Sequence, residues 1–281
     1  MDHLIDFLKS ESGKRFREEC TKLGIEVEHE THAMSDLLPR SLFEKEPSMF
    51  RMNKEGQRTP EFNFCAHSNA AIETICESAV KYAQVLKPTT GRYFFWIDDG
   101  RPMCRCSKCR HFSDSDQALI LENAVVKALQ RRVDATATLA HLAYTNTMKP
   151  PTQIRPEPGV FLEFAPIRRS SNHPLSQREV KRGPLTHGQL LDLLDANLEV
   201  FGRDDAQVLE YWLDASMFSG WKRPPKKIPW NREIFLDDLK TYGKRGICHI
   251  TSFGAFLDAE YIRLHGEPPI DEYGKELRKY R

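Results

Sequence analysis

An α/β fold of the (β/α)8, TIM-type barrel class is expected from three features of the sequence. Short strand-like runs alternate with longer helix-like runs, the pattern of a parallel sheet. Nearly every strand-like run ends in polar or aromatic residues and then a long irregular loop, as expected where the loops after barrel strands build a site. No glycine-rich nucleotide fingerprint follows the first strand, which argues against a dinucleotide fold. About six strands are well marked where a closed barrel needs eight. The expectation is therefore one barrel domain over residues 1–281, lacking its N-terminal strand or strands.

The chain opens on "MDHLIDFLKSESGKRFREEC", a charged amphipathic helix without the apolar middle of a signal peptide. "GIEVEHET" is the first strand, and Glu26, Glu28, Glu30 and His32 fall on one face of it. That face is too polar for burial unless it lines a pocket or an edge. "EFNFC" reads as a further short strand or a loop segment. Ser68 or Asn69 caps the helix "AAIETICESAVKYAQVL", which ends before Pro88. The strand "RYFFWID" follows, and the Ser113–Asp116 cluster caps "QALILENAVVKALQRR". "TATLAHLAY" and "GVFLEFAPI" are the next strands. Thr186 caps "GQLLDLLDANLEVF", with Gly202 placed to close it. "AQVLEYWLD" and "GICHITSF" complete the strand set.

Composition excludes several classes. Basic and acidic residues number 41 and 40, so no global basic field speaks for nucleic acid. The runs "KRPPKK" and "YGKRG" read as solvated loops. No stretch is long enough to cross a bilayer, so no membrane partner is expected. Seven cysteines, an odd number with three in one loop, point to a reducing cytosol and a cytoplasmic protein. Oligomeric state leaves no mark on the sequence.

Carboxylates at strand ends carry the chemistry. Asp98, Asp99, Glu163 and Glu210 fall there, although strands buried on both faces normally read as unbroken apolar runs. A glutamate inside "VFLEFAPI" or "QVLEYW" is costly unless it is paired or faces a wet pocket. If Glu163 and Glu210 both point inward, adjacent strands present them across one cavity. Two carboxylates about a sugar bond are the usual apparatus of glycoside hydrolysis. The alternative is that each glutamate pairs with an arginine such as Arg168 or Arg169. Trp96, Tyr144, Tyr211, Trp212, Phe218 and Trp221 lie at or beyond strand ends, where rings suit the C–H faces of sugars or simply pack a core. His67 and His141 also fall near strand ends, but His32, where its strand opens into a loop, is the histidine of interest. The expected substrate-binding set is Asp98, Asp99, His32, Trp96, Tyr144, Arg168, Trp212 and Trp221. Cys104, Cys106 and Cys109, with His111 close behind, have spacing that suits a structural zinc. A disulfide or free thiols packing the loop remain open, and no cofactor is expected for chemistry.

Several ordered motifs resemble one family. They are the tryptophan-to-aspartate strand end before C-x-C-x-x-C, "LAYTNTMKPP", "FLEFAPIRR" with "HPL" after it, and "LEYWLDASMFSGWKRP". Together, from about Thr31 to Ser252, they resemble the domain of unknown function 4838, which overlaps glycoside hydrolase family 163. The resemblance implies a (β/α)8 barrel of glycosidase type. It also implies an oligosaccharide or glycan substrate, since members of the hydrolase family are endo-acting β-N-acetylglucosaminidases on complex N-glycans. Glu163 matches the family's sixth-strand glutamate before an arginine. Glu210 stands where the seventh strand has aspartate, and the tryptophan before it is absent. Relatives carry barrel strands upstream, in line with the missing strands inferred above. The leading expectation is a glycoside hydrolase with Glu163 as general acid/base and Glu210 as nucleophile or water-activating base. Asp98 and Asp99 would bind hydroxyls or orient an N-acetyl group. A non-catalytic carbohydrate-binding or inactive truncated barrel is the alternative, and a metal-using isomerase or lyase a third.

Overall fold

A computed structural model describes residues 1–280 and divides the chain into two compact units, Met1–Phe161 and Leu162–Arg281. Both are mixed α/β with parallel strands.

The first unit begins with α1 (Asp2–Lys9) and α2 (Glu11–Lys22), two helices where one is expected. Ser10 breaks the run. It is extended at φ −70° and ψ 163°, and its Oγ accepts the Gly13 amide at 3.1 Å, an N-cap that starts α2 afresh. Gly13 allows the sharp junction, because a Cβ there would lie 2.0 Å from the Phe7 carbonyl oxygen. The first strand, β1 (Glu30–His32), is shorter than its sequence run. Upstream, the Glu28 carboxylate is held by Thr90 Oγ1 at 2.7 Å and Arg92 Nε at 3.3 Å rather than standing free in a strand. After α3 (Met34–Leu37), residues 39–68 form a long irregular segment, and "EFNFC" is part of it rather than a strand.

Four elements then follow their local signals. α4 (Asn69–Val85) starts at the Ser68 cap, and β2 (Arg92–Trp96) is buried throughout. α5 (Asp114–Arg132) starts with a full capping box between Ser113 and Asp116. β3 (Thr138–Ala143) closes the set. β2 lies between β1 and β3, parallel to both, with Glu30 opposite Phe94, His32 opposite Trp96 and Arg92 opposite Thr138. α4 packs along α5, and Phe50, Phe64, Phe94, Leu38 and Ile75 are wholly buried. Each contributes about 1.5–3 kcal/mol relative to exposure.

β4 (Val160–Phe164) ends in the second unit, which continues with a hairpin of β5 (Lys181–Arg182) and β6 (Leu185–Thr186). α6 (His187–Phe201) carries the Thr186 capping box and ends at Gly202, φ +86°, a backbone region open to glycine. β7 (Gln207–Glu210), α7 (Ala215–Phe218), α8 (Arg232–Gly243), β8 (His249–Ser252), α9 (Ala259–His265) and α10 (Ile270–Leu277) follow. β7 pairs in parallel with β4, Glu163 opposite Gln207 and Phe164 opposite Val208. It also pairs in parallel with β8, Leu209 opposite Thr251 and Glu210 opposite Ser252. Six strands in all have parallel neighbours among the described residues, the number marked in the sequence and two short of a closed barrel. No described helix is long and apolar enough to cross a membrane.

Candidate functional site

The carboxyl ends of β1 and β2 bring polar and aromatic groups together in the first unit. Because His32 is in register with Trp96, their rings meet edge to face at 5.1 Å, and the Tyr144 ring lies 6.5 Å from His32. His32 Nδ1 donates to the Ile97 carbonyl at 2.6 Å, which fixes the ring and turns Nε2 toward Asp99 Oδ1 at 4.0 Å. Trp96 is buried, so it backs His32 rather than offering an open platform.

The two neighbouring aspartates divide their work. Asp98 is bracketed by Asn63: the Asn63 amide donates to Asp98 Oδ2 at 2.5 Å, and the Asp98 amide donates to Asn63 Oδ1 at 2.9 Å. Arg40 Nη2 adds an ion pair at 2.8 Å. Asp98 is thus a loop anchor, whereas Asp99 is exposed and faces solvent beside His32. The Asn63 side chain also donates to the Arg101 and Pro102 carbonyls, both at 3.1 Å. Neither Asn63 nor Arg40 carries a sequence signal for this role.

The strand register separates Glu163 and Glu210. Glu163 lies opposite Gln207 and accepts its Nε2 at 3.0 Å, while Gln207 also reaches Thr251 Oγ1 at 3.4 Å. Gln207 and Leu209 share a face by strand alternation, and Leu209 lies opposite Thr251, so Glu163, Gln207 and Thr251 form one polar row. Glu210 is three residues beyond Gln207 and falls on the other face. The expectation that both carboxylates face one cavity fails on this parity.

Glu210 instead meets α8. Its Oε1 accepts Tyr242 Oη at 2.5 Å and Arg169 Nη1 at 3.0 Å. Arg169 Nη1 also donates to Asp238, which accepts Trp212 Nε1 at 3.0 Å and the Leu175 amide at 2.8 Å. Burial alone would pull the Arg169 guanidinium down, but the charges of Glu210 and Asp238 more than reverse this and hold it above its ordinary value. Burial pushes the Asp238 carboxyl up to about 6, with Arg169 opposing and Glu210 adding to the rise. Burial, with Glu210 alongside, keeps the Tyr242 hydroxyl protonated and therefore a donor. The cavity that Glu210 lines with Arg169, Tyr211 and Trp212 is about 20 Å³, room for about one water. Glu210 is thus paired with Arg169, as the structural alternative anticipates. Arg168, next to it in sequence, is exposed. Trp212 packs edge to face on Phe235 at 4.8 Å, within an apolar cluster that includes Leu213 and Tyr261. Trp221 is 66% exposed.

The cysteines form the tightest cluster. Cys65, Cys104, Cys106 and Cys109 are all buried, and their sulfurs lie within 4.8 Å of one another, so they could hold a metal ion. His111 is not among them. A turn with the Cys109 amide on the Cys106 carbonyl (3.0 Å) aims both sulfurs inward, and by His111 the chain has turned out to solvent. Cys65 takes the fourth place, from the segment before α4. Hydrogen bonds from Cys104 and Cys109, and a weaker one from Arg58, pull the Cys65 thiol far below its usual range against the effect of burial. Of the other histidines, His67 approaches Cys109 Sγ at 3.4 Å, and His141 is buried against Glu122 at 2.6 Å.

Parallel strands, helical crossovers and acids at strand ends define the class: an α/β protein with barrel-type connections. The chain belongs to the family described as domain of unknown function (DUF4838), matched over residues 8–184. Neither a curated protein nor a solved structure matches it.

Proposed function

We propose that this chain is a glycoside hydrolase of barrel type acting on a complex carbohydrate at an N-acetylhexosamine linkage, with Glu163 as the proton-transferring carboxylate. One observation carries the reading. Glu163 is wholly buried inside a parallel strand yet stands in a polar row with Gln207 and Thr251, where such strands are normally apolar. Buried strand carboxylates mark functional sites as well as structural pairs such as Glu210 with Arg169, and the neutral Gln207 amide on Glu163 supports the functional reading here. Sugar-recognition chemistry also stands in the first unit. Asp99 and His32 would accept or donate to hydroxyls, and the half-buried Tyr144 ring would meet a C–H face. With Glu210 held by Arg169 and Tyr242, the role left to it is to position α8 against β7. One protein carboxylate suffices where the substrate's own N-acetyl group attacks the anomeric carbon, and this favours an N-acetylhexosamine at the cleavage point.

The second reading, a carbohydrate-binding domain without turnover, draws on the same engagement of Glu210. A panel of aryl glycosides and N-glycans separates the two. The hydrolase reading expects cleavage by the wild type, a loss of roughly 10²–10⁴ in kcat for Glu163→Gln, and glycan binding retained in that variant. Binding without cleavage by the wild type would establish the second reading, and unchanged turnover in Glu163→Gln would remove Glu163 from the mechanism.

A further inference from the structure

We propose that Cys65, Cys104, Cys106 and Cys109 bind one zinc ion as a closed tetrathiolate site, and that this ion locks the segment before α4 onto the loop after β2. Distances carry the first half. Cys65 Sγ lies 3.9 Å from Cys106 Sγ and 3.8 Å from Cys109 Sγ. A zinc ion bound at about 2.3 Å by four sulfurs in a tetrahedron places those sulfurs about 3.8 Å apart. Disulfides have sulfurs at about 2.0 Å, so these pairs are unbonded. All seven cysteines are free thiols.

Donors aimed at sulfur argue against inert packing. The Met52 amide points at Cys104 Sγ from 3.3 Å and Arg58 Nη1 from 3.8 Å, while His67 Nδ1 lies 3.4 Å from Cys109 Sγ. A neutral buried thiol is a small hydrophobe and needs no such company. Four thiolates around a divalent ion carry net negative charge, which these N–H groups offset. Four protein ligands leave no open position for water or substrate, so the ion is structural. Among metals that accept four thiolates, zinc binds more tightly than ferrous iron. The assignment is independent of the hydrolase reading.

Position in the chain carries the second half. Cys65 is two residues from Asn63, which brackets Asp98, and Cys104 is two residues from Pro102, whose carbonyl Asn63 holds. The Arg105 amide also donates to the Met52 carbonyl at 2.8 Å, and the Cys65 amide to the Met49 carbonyl at 2.9 Å. The thiols and Asn63 therefore pin the same two stretches of backbone, and the ion is the stronger pin.

The test is elemental analysis of the whole chain purified without chelator, followed by titration with a mercurial thiol reagent and a zinc-sensitive dye. The proposal expects one zinc per chain, released in step with the four thiols. It expects that cobalt(II) substitution of the wild type gives thiolate charge-transfer and tetrahedral ligand-field bands. Cys65→Ser should lose the zinc, while His111→Ala and Cys248→Ser should keep it. If Cys65→Ser does not fold, the wild-type stoichiometry and cobalt spectrum decide the matter alone. Zinc removal should speed tryptic cleavage at Arg51, Lys54 and Arg58 by roughly tenfold or more, because local opening governs such cutting. Stoichiometric iron, a folded chain with no metal, or zinc retained in Cys65→Ser would each overturn the site. Unchanged cleavage after zinc removal would overturn the locking role.

Discussion

Two of the buried polar clusters, one around Arg169 and one of thiols, meet the cost of desolvation from opposite directions. In the second unit Arg169 stands between Glu210 and Asp238, with Tyr242 and Trp212 as neutral donors. That cluster carries its own cation. In the first unit four thiols converge with one guanidinium, Arg58, beside them, together with a backbone amide and His67, too little positive charge to balance four thiolates. A group that brings its counter-charge from the sequence needs nothing from solution, whereas one made of four like ligands is completed by an ion. External dependence follows the same division: the thiol cluster should respond to metal and the arginine cluster to protons.

The largest expected effect tests the self-sufficiency of the arginine cluster. Arg169→Met should cost about 3–5 kcal/mol in urea unfolding, because two buried carboxylates lose their shared cation. Replacing Arg169, Glu210 and Asp238 together by Met, Leu and Leu should recover most of that loss. A cost under ~1 kcal/mol for the single change would show that the two carboxylates do not depend on Arg169.

Protons provide the next test. Folded Asp238 keeps its proton up to about pH 6, while the carboxyl's ordinary value is 3.8. Stability from this protonation is therefore present below about pH 4 and is lost as pH rises through about 6, a contribution on the order of 3 kcal/mol. The stability difference between wild type and Asp238→Asn should shift in that sense over that window, and a flat difference would contradict it. In the first unit, Asn63→Ala removes both hydrogen bonds of the Asn63 side chain to the Arg101 and Pro102 carbonyls and the one from the Asp98 amide. It should cost about 1–3 kcal/mol by thermal melt. The smallest effect belongs to Trp221, which is 66% exposed. Trp221→Ala should change stability by less than ~0.5 kcal/mol, so a fall in glycan affinity measured by titration calorimetry would report recognition alone.

Local signals in the sequence marked the starts of α4, α5 and α6, though not the Ser10 cap that begins α2. Ser68, Ser113, Thr186 and Gly202 sit where their side chains or backbone freedom place them, because a cap depends on residues within one turn. The six strands were legible from short strand-like runs alternating with longer helix-like ones, even though Glu163, Gln207 and Glu210 interrupt the apolar pattern and β1 and β8 are largely polar. Glu210 shows what was not legible. A period of two fixes faces within one strand, but which face matches that of Glu163 depends on register between strands, and the chain pairs Glu163 with Gln207. The fourth thiol was hidden by distance along the chain. Cys65 is separated from Cys104 by α4 and β2, while His111 was close in sequence and turned away in space.

That separation has a consequence for how the protein is made. Cys65 leaves the ribosome roughly 40 residues ahead of Cys109, a delay of about 2–9 s at usual synthesis rates. For most of that interval Cys65 lacks the other three thiols of its cluster, while α4 and β2 emerge behind it. The knot can be tied only after the last cysteine appears, so the clasp between these stretches is a late event in the life of the nascent chain.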